Sequence, residues 1–136
     1  MRICLDTMVL IYILKDEFKS FQDKVYDALA KKKSLVIPTV VFAELLPQFR
    51  GDVLLLKSFL NDHKIKIEDL DIKSTTIAAH KWMKYLERKT RVKCPHCKTT
   101  LPTKEHFLSD FFIGGFSLAK CEAIITKDRG LSLIHI

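Results

Sequence analysis

The stretch Met1–Leu14, MRICLDTMVLIYIL, decides how the rest of the chain is read. It first alternates and then runs apolar like a buried strand, stops at a single carboxylate, Asp6, and passes through Thr7 into a second apolar run. A carboxylate at the carboxyl tip of a buried strand lies where open α/β sheets place their ligands. Asp is equally suited to capping the following helix, so Asp6 by itself fits a cap as well as it fits a metal ligand. Three further acids tip the balance towards a site. Glu44, Asp110 and Asp128 each stand at an element boundary or beside an apolar segment.

Working outward, Arg2–Leu5 reads as the first strand and Thr7–Leu14 as a short helix. Glu17–Ala30 carries Phe18, Phe21, Val25, Ala28 and Leu29 at helical spacing, which predicts one buried face. Lys31–Lys33 closes that helix favourably against its dipole. Ser34–Ile37 is a second strand halted by Pro38, and Thr39 is placed to cap a helix running through Phe49. A helix over Val53–Asn61 and a strand over Ile65–Glu68 follow. Asp71 or Ser74 opens a long helix, Ile72–Arg88, expected to bury Ile77, Trp82 and Leu86.

Phe107–Lys120 reads as another helix, although Gly114 and Gly115 weaken its propensity by ~1 kcal/mol each. A glycine pair in mid-helix implies close packing against another backbone. Ala123–Thr126 is the fourth strand and Lys127–Gly130 a turn. This order of strands and helices predicts an α/β fold, a three-layer α/β/α sandwich around a central parallel sheet.

Residues 1–130 suit a single domain, with an inserted basic loop at about 90–105 that carries Pro95, Pro102 and the CPHC of Cys94–Cys97. The last six residues, Leu131–Ile136 (LSLIHI), coincide with the translation of a transposon end used in sequencing libraries. They are set apart as a non-native tail, the alternative being a native fifth strand with its apolar Leu131, Leu133 and Ile134. Lys and Arg outnumber Asp and Glu by 23 to 16, a net charge of +7, which favours a polyanionic partner such as nucleic acid. The charge is spread over Lys31–Lys33, Lys64–Lys66 and Lys81–Lys98 rather than confined to a tail. Four cysteines without a secretory apolar segment at the N-terminus point to reduced thiols in the cytoplasm. No apolar run approaches the ~20 residues of a membrane span, so a membrane partner is not expected.

If the first and fourth strands are neighbours, Asp6, Glu44, Asp110 and Asp128 meet at the carboxyl edge of the sheet. Four acids crowded there repel one another unless a cation neutralises them. Mg²⁺ or Mn²⁺ suits such oxygen ligands, keeps several waters and activates one of them towards a phosphodiester. The chemistry so implied is metal-dependent hydrolysis of nucleic acid.

Four segments carry a resemblance to a known family. CLDTMVLI within Ile3–Ile11 is similar to a hydrophobic–D-T-N-V-L start, IPTVVFAELL (Ile37–Leu46) to a helix bearing a second acid, SDFFIGGFSLA (Ser109–Ala119) to a third and IITKDRG (Ile124–Gly130) to a fourth. Together and in this order they resemble the PIN domain, especially the VapC-type toxins of prokaryotic toxin–antitoxin pairs. The resemblance implies that Asp6, Glu44, Asp110 and Asp128 are the catalytic, metal-binding acids, with Thr7 and Thr126 as supporting hydroxyls. It also implies an Mg²⁺- or Mn²⁺-dependent endoribonuclease that forms a homodimer and is silenced by an antitoxin protein. Two departures stand out. Met8 occupies the position of the family's Asn, a polar group that helps order the acids, and the chain ends where family members add a last strand and helix.

Two rival readings use the same residues: a non-catalytic RNA-binding module on this fold, and a zinc-stabilised interaction domain resting on Cys94 and Cys97. Cys-Pro-His-Cys is one half of a zinc knuckle, and structural Zn²⁺ requires four ligands. His106 lies within loop reach of the pair, and a second chain is another source of donors. The alternative is a reduced, exposed thiol pair. The zinc reading predicts about one zinc per chain by elemental analysis of protein purified without added metal, lost in a Cys94→Ser, Cys97→Ser variant. A zinc-free parent protein rules it out.

Overall fold

Runs of consecutive buried residues mark the two inner strands of the computed structural model, which describes residues 1–89 and 108–127. Ile3, Cys4 and Leu5 in β1 (Arg2–Leu5) and Leu35, Val36 and Ile37 in β2 (Ser34–Pro38) are all buried. Successive strand residues point to opposite faces, so both faces of the sheet are covered. β3 (Ile65–Glu68) pairs with the outer edge of β2, and β4 (Ala123–Ile125) with the free edge of β1. The order is β3-β2-β1-β4 and every pairing is parallel, with Ile3 opposite both Leu35 and Ala123. The three-layer α/β/α reading therefore holds.

The helices are α1 (Thr7–Lys15), α2 (Lys19–Ala30), α3 (Thr39–Leu45), α4 (Val53–Asp62), α5 (Ile72–Lys89) and α6 (Leu108–Lys120). Asp6 is the N-cap of α1, and Asp52 and Asp71 cap α4 and α5 by accepting the backbone N–H groups of Leu55 and Ser74. Pro38, not Thr39, occupies the cap position of α3, and no side chain bonds there. The helix predicted through Phe49 is α only to Leu45 and then tightens to a 3₁₀ turn, Leu46–Phe49, whose second residue is Pro47. Proline has no N–H to continue the α-helical ladder.

Two expected faces are corrected. α5 buries Ser74 and Ala78, while Ile77 and Trp82 are only half-buried and Leu86 is exposed. The reason lies in α6. A Cβ on Gly115 would stand 2.5 Å from the Ser74 carbonyl oxygen and 2.9 Å from the Ala78 nitrogen, so the two backbones nearly touch and only small residues fit between them. The pairing is reinforced at its far end, where the Lys120 ammonium meets the Asp71 carboxylate at 2.8 Å. That cation, then the Ser74 N–H, hold the Asp71 carboxyl well below the usual carboxylate range. Its contribution to stability is present above the ordinary Asp pKa of about 3.9 and is lost as pH falls further. The second correction is Phe18. It is not on the buried face of α2 but stands 57% exposed at the left-handed position before the helix, with φ 49°.

The contact at Gly115 predicts that Gly115→Ala lowers stability by ~1–3 kcal/mol, although alanine is the better helix former. A urea midpoint equal to or above the parent's would show that α5 and α6 separate without cost.

Candidate active site

The crossover from β1 runs towards β2, while β4 is added on the opposite side of β1, so a crevice opens at the carboxyl ends of β1 and β4. Asp6 emerges there from β1 and is only 5% exposed. Its backbone N–H donates to the Ile125 carbonyl at 3.1 Å, which pins the end of β1 to the end of β4. Its carboxylate accepts from the Thr7 N–H at 2.7 Å on Oδ1 and from the Thr126 hydroxyl at 2.8 Å on Oδ2. A buried carboxylate needs such donors, because leaving it unsatisfied is costly. Capping and site chemistry are thus compatible in one residue.

Thr7 serves a second acid. Its hydroxyl donates to Glu44 Oε1 at 2.8 Å, so one residue links Asp6, through its backbone, to Glu44, through its side chain. Glu44 stands in the second turn of α3, the helix that follows β2 directly. Asp110 lies in the first turn of α6. Asp6, Thr7, Glu44 and Asp110 line one open cleft of about 510 Å³, together with Met8, Ile11 and Lys127. At roughly 30 Å³ per water, that space admits a hydrated cation beside a phosphate group.

Sequence reasoning missed Lys127, which it assigned to a turn. The available signal was a cation immediately after Thr126 at the end of the fourth strand. Its ammonium lies 5.7 Å from the ring centroids of both Tyr12 and Phe18. The neighbouring Tyr12 raises the pKa of Lys127. Met8 contributes an apolar wall to the cleft and is 40% exposed. Asp128, Cys94, Cys97, His106 and the tail 131–136 lie outside the described residues.

Residues 3–134 match the family profile of the PIN domain. The chain belongs to the PIN domain family. Among solved structures this PIN domain is similar to VapBC2 from Rickettsia felis, crystallised bound to a DNA fragment from its promoter. The TM-score is 0.65 at 20% sequence identity, and the match covers 98% of this chain and 93% of that one. At this identity the likeness is one of fold. No curated protein matches the chain. Among the described residues no helix is long and apolar enough to cross a membrane.

The donor chemistry of the cleft suits a hard divalent cation, since all three carboxylates offer oxygen. Among the described residues no three acids are close enough to enclose an ion directly. The Thr7 bridge predicts that Thr7→Val, which keeps shape but removes the hydroxyl, weakens Mn²⁺ binding roughly 10- to 100-fold by freeing Glu44. Calorimetric titration on protein with an unchanged circular dichroism spectrum measures it; undiminished affinity would separate Glu44 from the ion site.

Proposed function

We propose that this PIN domain is a metal-dependent endoribonuclease that hydrolyses RNA phosphodiester bonds, and that it is the toxin of a toxin–antitoxin pair, acting in the cytoplasm. The observation that carries the reading is the meeting of Asp6, Glu44 and Asp110 with Lys127 around one cleft at the carboxyl edge of the sheet. Asp6, Glu44 and Asp110, with Asp128 as a fourth acid, would hold Mg²⁺ or Mn²⁺ in part through the ion's own waters, and the ion would supply Lewis-acid polarisation of the phosphodiester and of water. The protein's own groups do the rest. Thr126 and the Thr7 N–H fix the Asp6 carboxylate, the Thr7 hydroxyl fixes Glu44, and Lys127 offers a cation to the nucleic-acid backbone at the rim.

The excess of 23 basic over 16 acidic residues supports a polyanionic substrate. The similarity to VapBC2 supports an antitoxin protein as partner, and a homodimer is proposed on the family resemblance alone. A structural Zn²⁺ at Cys94 and Cys97, with His106 as a further donor, is proposed on the CPHC sequence alone. One observation favours a second reading, a non-catalytic RNA-binding module: the apolar Met8 faces the cleft where the family's polar residue would stand.

Asp6→Asn and Asp110→Asn should each abolish Mg²⁺- or Mn²⁺-dependent cleavage of single-stranded RNA, and Glu44→Gln should nearly do so. Asn retains the capping ability of Asp, and removing charge relieves repulsion between acids, so folding stability should not fall. Binding of the same RNA in metal-free buffer should survive. Cleavage at the parent rate by Asp6→Asn or Asp110→Asn would discard the site, and a parent that binds RNA but cuts none with either metal would establish the binding module.

A further inference from the structure

The connection between α1 and α2 is built unusually for so short a segment. Asp16 and Phe18 both adopt left-handed backbone, with φ of 52° and 49°. That region is uncommon for residues other than glycine and is unfavourable for a bulky side chain, and such strain persists only where the surroundings enforce it. Here they do. The buried amide of Gln22 donates to Asp16 Oδ1 at 3.2 Å and to the Glu17 carbonyl at 2.9 Å, and the Glu17 N–H donates to the Tyr12 carbonyl at 2.9 Å.

The result is an aromatic ring held outward. Phe18 rests against the buried Tyr12 ring, with centroids 4.5 Å apart, yet remains 57% exposed. Core packing does not account for it, since strain is accepted and much of the ring still faces water. The Lys127 ammonium stands 5.7 Å from this ring, and Lys127 also lines the acidic cleft. A largely exposed aromatic residue and a cation are therefore adjacent at the rim of the candidate active site.

The geometry points to Phe18 as a stacking platform for an unpaired base of single-stranded RNA, with Lys127 taking a neighbouring phosphate as the strand enters the acidic cleft. This rests on the nuclease reading for the course of the strand, but stacking itself requires no cleavage. Paired strands, whose bases are already stacked and whose edges are enclosed, cannot use such a platform, so it would favour single strands over duplex.

The test is fluorescence anisotropy in EDTA with a labelled single-stranded RNA, the same strand carrying abasic positions, and the matching duplex. Phe18→Ala and Phe18→Leu should each weaken binding of the intact strand roughly tenfold, while Phe18→Trp should preserve or strengthen it. Leucine keeps apolar cover over Tyr12 but has no π-face, so a loss with a parent-like melting temperature separates stacking from folding. On the abasic strand and the duplex the variants should match the parent. Parent-like affinity of Phe18→Ala or Phe18→Leu for the intact strand, equal losses on the abasic strand, or no binding of single strands by the parent would each overturn the proposal. Cleavage lost in Asp6→Asn alongside unaffected binding in Phe18→Ala would overturn stacking while leaving the nuclease reading in place. A parent that binds without cutting, with the Phe18 pattern as expected, would do the reverse.

Discussion

Everything at the functional edge depends on how the buried Asp6 carboxylate is satisfied. β1 is an inner strand covered on both faces, so the chain leaves it from the buried core at the edge of the cleft. Asp6 meets that demand through its N–H, which donates to the Ile125 carbonyl, and its carboxylate, which accepts from the Thr7 N–H and the Thr126 hydroxyl. These bonds start α1, lock β4 beside β1 and aim an anionic group into the crevice between them. Thr7 then extends the network to Glu44, so two acids from different parts of the chain share one polar anchor. Positioning an acid by hydrogen bonds from rigid elements favours a preorganised site.

The third acid reaches the cleft by a different device. Asp110 belongs to the opening turn of α6, and that helix is placed both by backbone contact at Gly115 and by the Phe111 ring, which packs against Trp82 and Tyr85 of α5. Gly115 lets α6 lie directly on Ser74 and Ala78 of α5, and the Lys120–Asp71 bridge joins the C-terminal end of one helix to the N-cap of the other. A helix set by contact between backbones has little freedom to slide, because backbone atoms cannot change rotamer to make room. The glycine that costs helix propensity thus acts at a distance on the position of Asp110.

Several features were legible because they are local. The buried strand ending at Asp6, the proline stop at Pro38 and the close approach implied by Gly114–Gly115 follow from period, ring geometry and missing side chains, and the structure agrees on the strand, the stop and the Gly115 contact. Phe18 was misread because helical spacing placed it in line with Phe21 and Val25, whereas the α1–α2 connection turns left-handed just before the helix begins. The α5 face was misread because large apolar residues normally mark the packed side. Here the tightest neighbour is a backbone, which selects Ser74 and Ala78 instead.

The sequence by itself determined the α/β alternation, the position of Asp6 at a strand tip, and the candidacy of Glu44 and Asp110, since strand and helix periods and the residues that end them are properties of neighbours in the chain. Only the tertiary structure decided that Thr7 bridges Asp6 to Glu44, that Lys127 stands at the cleft rim, and that Phe18 faces outward beside it. Those relations join residues 37 to more than 100 positions apart. Their distances are set by sheet order and helix packing, which no local pattern encodes.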